Sequence, residues 1–152
     1  MSASLFIKFV EGQGLDIELV ESEKGTRTAE EAAEVHGVPV SNIVKSLVLK
    51  AANDFVIALC PGDKRIDFKE VKANLNKENV RMATPTEVKE MTGHSIGGVP
   101  PFGHQEPLRT FIVSGFDSTK PLWAAAGAAD LNFKTNLSEL KEIVEQVNSM
   151  LG

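Results

Sequence analysis

The chain of 152 residues holds a single cysteine, Cys60. No internal disulfide can form, and a reducing, cytoplasmic setting is expected. Long hydrophobic runs are missing too, none approaching the roughly 18 apolar residues that cross a bilayer, so no membrane association is expected. The opening MSASLFIKFVEGQG sets Lys8 and Glu11 among its apolar residues, with no basic segment ahead of them, which does not read as a secretory signal. Positive charge is scarce: 16 Lys and Arg stand against 21 Asp and Glu, a net charge of −5, which argues against a surface that grips nucleic acid all over. His36, His94, His104 and Cys60 form no H-x-x-x-H or C-x-x-C pair. Gly12 and Gly14 lack the third glycine of a dinucleotide fingerprint, and there is no Walker A string. Neither a metal nor a cofactor is expected.

What is present suffices for a packed core. The chain is 42% hydrophobic and 24% charged, and a globule of this length buries roughly 70% of its unfolded surface. No repeat or low-complexity tract interrupts it, so one domain over residues 1–152 is expected. Residues 5–10 form a short helical or irregular apolar stretch. The alternation in residues 15–20 (LDIELV) predicts a half-buried strand. Thr28 and Glu31 form a capping box opening a helix that stops at Gly37. Residues 43–51 and 55–60 are apolar runs around Asn53 and Asp54, the pattern of a hairpin of well-buried strands. Asp67 opens a second capped helix, and Thr84, with Pro85 next and Glu87 three residues on, opens a third that ends before Gly93. Strands are predicted at 110–114 and 121–126, and Asn136 caps a last amphipathic helix reaching Leu151. Strands and helices mix without strict alternation. The expected class is α+β or mixed α/β, one sheet flanked by helices.

Three features invite chemistry. Residues 93–97 (GHSIG) match the G-x-S-x-G elbow of serine hydrolases, but the elbow needs a strand before Ser95 and a helix after it, whereas a helix precedes and Val-Pro-Pro follows. Lys45 lies inside IVKSLVL, on the face of Ile43, Leu47 and Leu49. Its ammonium either reaches a cleft or an anionic partner, or its stem packs while its head stays in water. Residues 97–103 (GGVPPFG) concentrate glycine and proline, which let a ligand approach the main chain and leave N–H groups to meet an oxyanion. The alternative is a tight surface connection.

Together these residues resemble the YbaK/ProX family of aminoacyl-tRNA deacylases, which includes the editing insertion of bacterial prolyl-tRNA synthetases. The matching strings are Val38-Pro, IVKSL at 43–47, CPGDKRID at 60–67, Met82-Ala83 with Glu87-Val88, Thr92-Gly93, GGVPPFG at 97–103, Ala126-Gly127 and the helix start at 137–140, in order from about residue 15 onward. The resemblance implies a curved mixed sheet flanked by helices and a trans-acting hydrolase that clears a wrong amino acid such as Ala, Cys or Ser from tRNA for proline, without ATP or metal. Its partner is the 3′ aminoacyl end of mischarged tRNA, with prolyl-tRNA synthetase a second candidate. By this resemblance Lys45 and the N–H groups of Gly97, Gly98 and Val99 are catalytic, and Ser46, Pro100, Pro101, Phe102, Gly127 and Asn132 bind substrate.

Two departures bear on specificity. Ser46 stands where relatives often carry Thr or Asn. Residues 124–132 read AAAGAADLN in place of a Gly-rich run with Ser, Arg and an acid, which implies a small, less polar pocket. A binding module without catalysis and an esterase using Ser95 are the competing readings. The charge is also uneven: residues 11–34 hold eight acids and two bases, residues 43–81 eight bases and five acids. An RNA contact of small footprint is expected beside residues 43–81.

Overall fold

The computed structural model describes residues 2–151. Its centre is the predicted hairpin, β2 (Ile43–Ala51) and β3 (Asp54–Pro61), antiparallel with Val44 opposite Pro61 and Ala51 opposite Asp54. The turn falls one residue earlier than the composition suggests: Asp54 already pairs, and Ala52 takes the left-handed conformation at φ 56°. Around this hairpin an open sheet of seven strands runs in the order β1 (Glu18–Glu21), β7 (Leu131–Thr135), β6 (Leu122–Ala128), β2, β3, β5 (Arg109–Ile112), with β4 (Val80–Met82) also paired to β2. β2 with β6 and β3 with β5 are parallel, the other pairs antiparallel, so the sheet is mixed as expected.

The helices follow their caps. The Thr28 box opens α2 (Ala29–His36) and Gly37 closes it at φ 64°. Asp67 caps α3 (Phe68–Leu75), and Thr84 with Glu87 opens α4 (Pro85–Thr92), closed by Gly93. Asn136 accepts from the Glu139 N–H at the start of α5 (Leu137–Ser149). The first apolar stretch is a full helix, α1 (Ser2–Gly12), which extends beyond residues 5–10 at both ends. β1 covers only the end of the predicted strand: Leu15 and Ile17 instead pack against the core as the chain leaves α1, with the Leu15 N–H on the Val10 carbonyl.

Alternation in β2 and β3 sorts the core onto two faces. Val44, Val48, Ile57 and Leu59 face α1, α4, α5 and the loop holding Val99 and Phe102. Leu49, Val56, Ala58 and Cys60 face Val71 of α3, and Ile43 meets Ala32 and Ala33 of α2. One edge of β2 is shared. It pairs β6 through Ile43 and Val44, and β4 through Leu49, Lys50 and Ala51. Beyond the Val48 carbonyl, which accepts from the Ala83 N–H at 3.0 Å, no strand among the described residues lies beside residues 45–47 on that edge. The sheet is split there.

Candidate active site

A cavity of about 280 Å³ occupies this split. Its lining includes Val44, Val48, Ala83, Val88 and Val99, Trp123, Ala124 and Ala125 of β6, and Thr26, Arg27 and Thr28, where the chain enters α2. The walls are largely apolar, in line with the small, less polar pocket implied by residues 124–132. Among the described residues the charged groups lining it are Lys45 and Arg27, with no carboxylate. An acidic protein thus carries a cationic cavity.

Lys45 leaves β2 on the face predicted for it. It is half-buried opposite Cys60, and its ammonium donates to the Lys64 carbonyl, which also lies 3.7 Å from the Cys60 Sγ. Burial pushes the Cys60 thiol pKa up, and the Lys45 ammonium works against it. A protonated lysine has three N–H donors, so two remain for a ligand. Ser46 points to the opposite face, and its Oγ is buried with no hydrogen-bond partner among the described residues.

The glycine-proline loop meets the same cavity through two residues, Gly97 and Val99. Its geometry corrects one expectation. The Gly98 N–H is spent within the turn, donating to the Ser95 carbonyl at 3.0 Å, so the N–H groups left without an acceptor among the described residues are those of Gly97 and Val99. Gly98 packs on the β6–β7 turn, where an added β-carbon would lie 3.3 Å from the Ala128 backbone. Gly97 sits at φ 94° beneath the side chain of Arg27.

Pro100, Pro101, Phe102 and Gly127 are buried behind the lining rather than on it. Phe102 packs among Phe6, Phe9 and Phe133 with ring centroids 5.4, 5.7 and 5.6 Å away. Gly127, at φ 102°, belongs to the irregularity of β6 where its pairing with β7 shifts. His104 fixes the loop from below by donating from Nε2 to the Pro100 carbonyl at 2.7 Å. Burial holds the His104 pKa down at about 4; the Pro100 carbonyl opposes this and the neighbouring His94 adds to it. Ser95 is exposed after α4, with a helix before it and no helix in the loop that follows, so the elbow geometry is absent.

Asn132 is 3% exposed and lines the cavity. It accepts at Oδ1 from His36 Nε2 at 2.7 Å, and the His36 ring stacks on Trp123 at 3.8 Å. Sequence reasoning missed His36, Trp123, Arg27, Met82 and Ile96. Arg27 offered one signal, its place just ahead of a capping box. The others arrive from separate segments that only the sheet brings together. Of the basic residues at 43–81, Lys45 alone lines the cavity.

Residues 23–143 match the model of a family described as "Aminoacyl-tRNA editing domain". The uncharacterized protein YwhH of Bacillus subtilis (strain 168) is 34% identical over 126 residues, covering 82% of this chain and 80% of that one. The proline–tRNA ligase of Thermosipho africanus (strain TCF52B) is 37% identical over 101 residues, 60% of this chain but 18% of that enzyme, so the chain spans under a fifth of the length of that ligase. The crystal structure of a candidate trans-editing enzyme for prolyl tRNA synthetase superposes with a TM-score of 0.83 at 35% identity, covering 95% of this chain and 92% of the other. With 121 consecutive residues inside the family model and that fold over nearly its whole length, the chain belongs to the aminoacyl-tRNA editing domain family, the YbaK-like fold its sequence resembles.

Proposed function

We propose that the chain hydrolyses the ester joining a wrong amino acid to the 3′ end of a tRNA, acting in trans on tRNA for proline that carries alanine, cysteine or serine. The observation that carries this reading is the cationic cavity in the sheet split, lined by Lys45, Gly97 and Val99 and by no carboxylate among the described residues. A volume of about 280 Å³ lies just below the roughly 300–1,000 Å³ of drug-sized ligand pockets. Alanines on its wall suit a small amino acid. Likeness to proline–tRNA ligases supports prolyl-tRNA synthetase as the enzyme whose errors are cleared, in the cytoplasm where charged tRNA is used.

An aminoacyl ester is already activated, so holding its carbonyl and stabilising the developing oxyanion supply most of the catalysis. The N–H groups of Gly97 and Val99 and the charged Lys45 ammonium are the donors. Gly98, Pro100, Pro101, Phe102 and Gly127 act by fixing the loop and the β6 wall behind it. Ser46 and Asn132 hold the amino acid and the ribose. Water adds to the carbonyl carbon, the bond from that carbon to the ribose oxygen breaks, and the displaced oxygen takes the water's proton. Free amino acid and uncharged tRNA result.

Among the described residues no acid or histidine lines the cavity as a general base. That observation favours a second reading, a module that binds aminoacyl-tRNA without turnover. A panel of alanyl-, cysteinyl- and seryl-tRNA for proline separates the two: release of amino acid at enzyme concentrations far below substrate supports hydrolysis, and tight binding without release supports the module.

A further inference from the structure

The polar groups that line the cavity are mostly hydrogen-bond donors. Lys45 and Arg27 supply two cations. Thr26 directs its hydroxyl to the Ala129 carbonyl, and the Thr28 Oγ1 already accepts from the Glu31 N–H. Asn132 is oriented by its neighbours: Oδ1 accepts from His36 Nε2, and Nδ2 donates to the Leu131 carbonyl at 3.1 Å, which leaves a second N–H on that nitrogen to give. The Trp123 ring would attract a cation, but it is stacked on His36 and has the Lys134 ammonium 6.0 Å from its centroid. Carboxylates on the flanking helices are engaged elsewhere, Glu31 with the Thr28 N–H and Glu87 with Arg81.

An amino acid esterified through its carboxyl group keeps one charge, the α-ammonium. A site suited to that group presents a carboxylate or an open aromatic face. Here an ammonium is one more cation beside Lys45 and Arg27, inside about 280 Å³. Like charges disfavour the charged form, and an α-amine, titrating at about 8, gives up its proton readily. We propose that the cavity takes aminoacyl esters with the α-nitrogen uncharged, and that N-acylated aminoacyl esters are therefore substrates as well. This rests on the deacylase reading above and names the charge state and the wider substrate class of the same site. A free amine passes its proton to solvent before it enters. An N-acyl ester needs no such step, and its second carbonyl oxygen meets a lining of N–H donors. The nitrogen takes no part in the chemistry: water adds at the ester carbon, the bond to the ribose oxygen breaks, and that oxygen takes the water's proton. N-acyl amino acid and uncharged tRNA result.

Alanyl-tRNA for proline and the same tRNA acetylated on its α-amine test this, each kcat/KM being divided by the uncatalysed rate of that ester at the same pH. At pH 6 an amine titrating at about 8 is neutral in about one molecule in a hundred, so the acetylated tRNA should lead by roughly a hundredfold, and at pH 8 by about twofold. The charged and titratable groups at the cavity and behind its walls, Lys45, Arg27, His36, Lys134, Glu31 and Glu87, act on both tRNAs, so the ratio isolates the substrate amine. Ile96→Glu, at a lining position 56% exposed, adds a carboxylate and should narrow the gap at pH 6 by about tenfold. Asn132→Asp should do so from the buried side. A lead for the free amine at pH 6, a ratio that does not change with pH, or a gap that both variants leave alone overturns the proposal. If neither tRNA is deacylated, the deacylase reading fails, and the charge preference is decided by binding of alaninamide and N-acetylalaninamide at pH 6. Fluorescence of Trp123, the one tryptophan and a lining residue, follows it. Tighter binding of N-acetylalaninamide upholds the preference; equal or weaker binding, or no response to either at millimolar concentration, overturns it.

Discussion

Gly97 lies beneath Arg27, whose side chain fills the space a β-carbon at residue 97 would need. At φ 94° that position is also strained for any other residue, so Gly97→Ala is expected to lower unfolding free energy by about 1–3 kcal/mol. Deacylation should fall further than the loss of folded protein explains, because the N–H of residue 97 moves with it. Urea unfolding beside initial rates checks both; a variant with unaltered stability and rate contradicts the placement of this loop.

The loop is also tied to a neutral imidazole. His104 donates to the Pro100 carbonyl and titrates at about 4 in the folded protein, against 6.5 for a free histidine. Between these values the unfolded chain binds the proton and the folded one does not, so stability rises with pH across the window. It is fully present above pH 6.5 and is lost as pH falls toward 4, by up to about 3 kcal/mol for this group. His104→Gln should flatten unfolding free energy against pH over that range; an unchanged slope would show that His104 is not its source.

Asn132→Ala leaves the His36 N–H without its acceptor at 2.7 Å. A loss of about 1 kcal/mol is expected from the broken hydrogen bond. The His36 stack on Trp123 should loosen with it, and Trp123 fluorescence reports this directly because it is the single tryptophan. Emission identical to that of the unaltered protein would mean that the Asn132 contact does not hold the ring.

Cys60 gives a chemical reading of the strand pair. Its buried thiol has a raised pKa, so alkylation at pH 8 should be slow until the protein is unfolded. Lys45→Ala removes the cation that opposes burial and should slow native alkylation further. Faster alkylation in that variant would place the ammonium away from Cys60.

Local signals carried much of the fold. Thr28 with Glu31, Thr84 with Glu87, and Asn136 each announce a helix because capping is short-range chemistry. The two apolar runs around Asn53 announce β2 and β3 for the same reason. β4 and β7 escaped: Val80–Met82 is three residues with two side chains exposed, and Leu131–Thr135 follows an alanine-rich stretch whose small side chains hide the alternation. The site divides likewise. Lys45 and the glycine loop stand out as a lysine in an apolar run and a cluster of special backbone. Arg27 stands in an acidic stretch and earns its role only through contact with Gly97, seventy residues on. The spent Gly98 N–H is a property of one turn, which residue types alone do not encode.

Lys45 carries the central claim, and the most direct measurement is release of alanine, cysteine or serine from mischarged tRNA for proline by the unaltered protein and by Lys45→Ala. With the ammonium acting as an oxyanion donor, the rate should fall about 10²–10³-fold while tRNA binding changes much less. Release by Lys45→Ala at the full rate would contradict the assigned role.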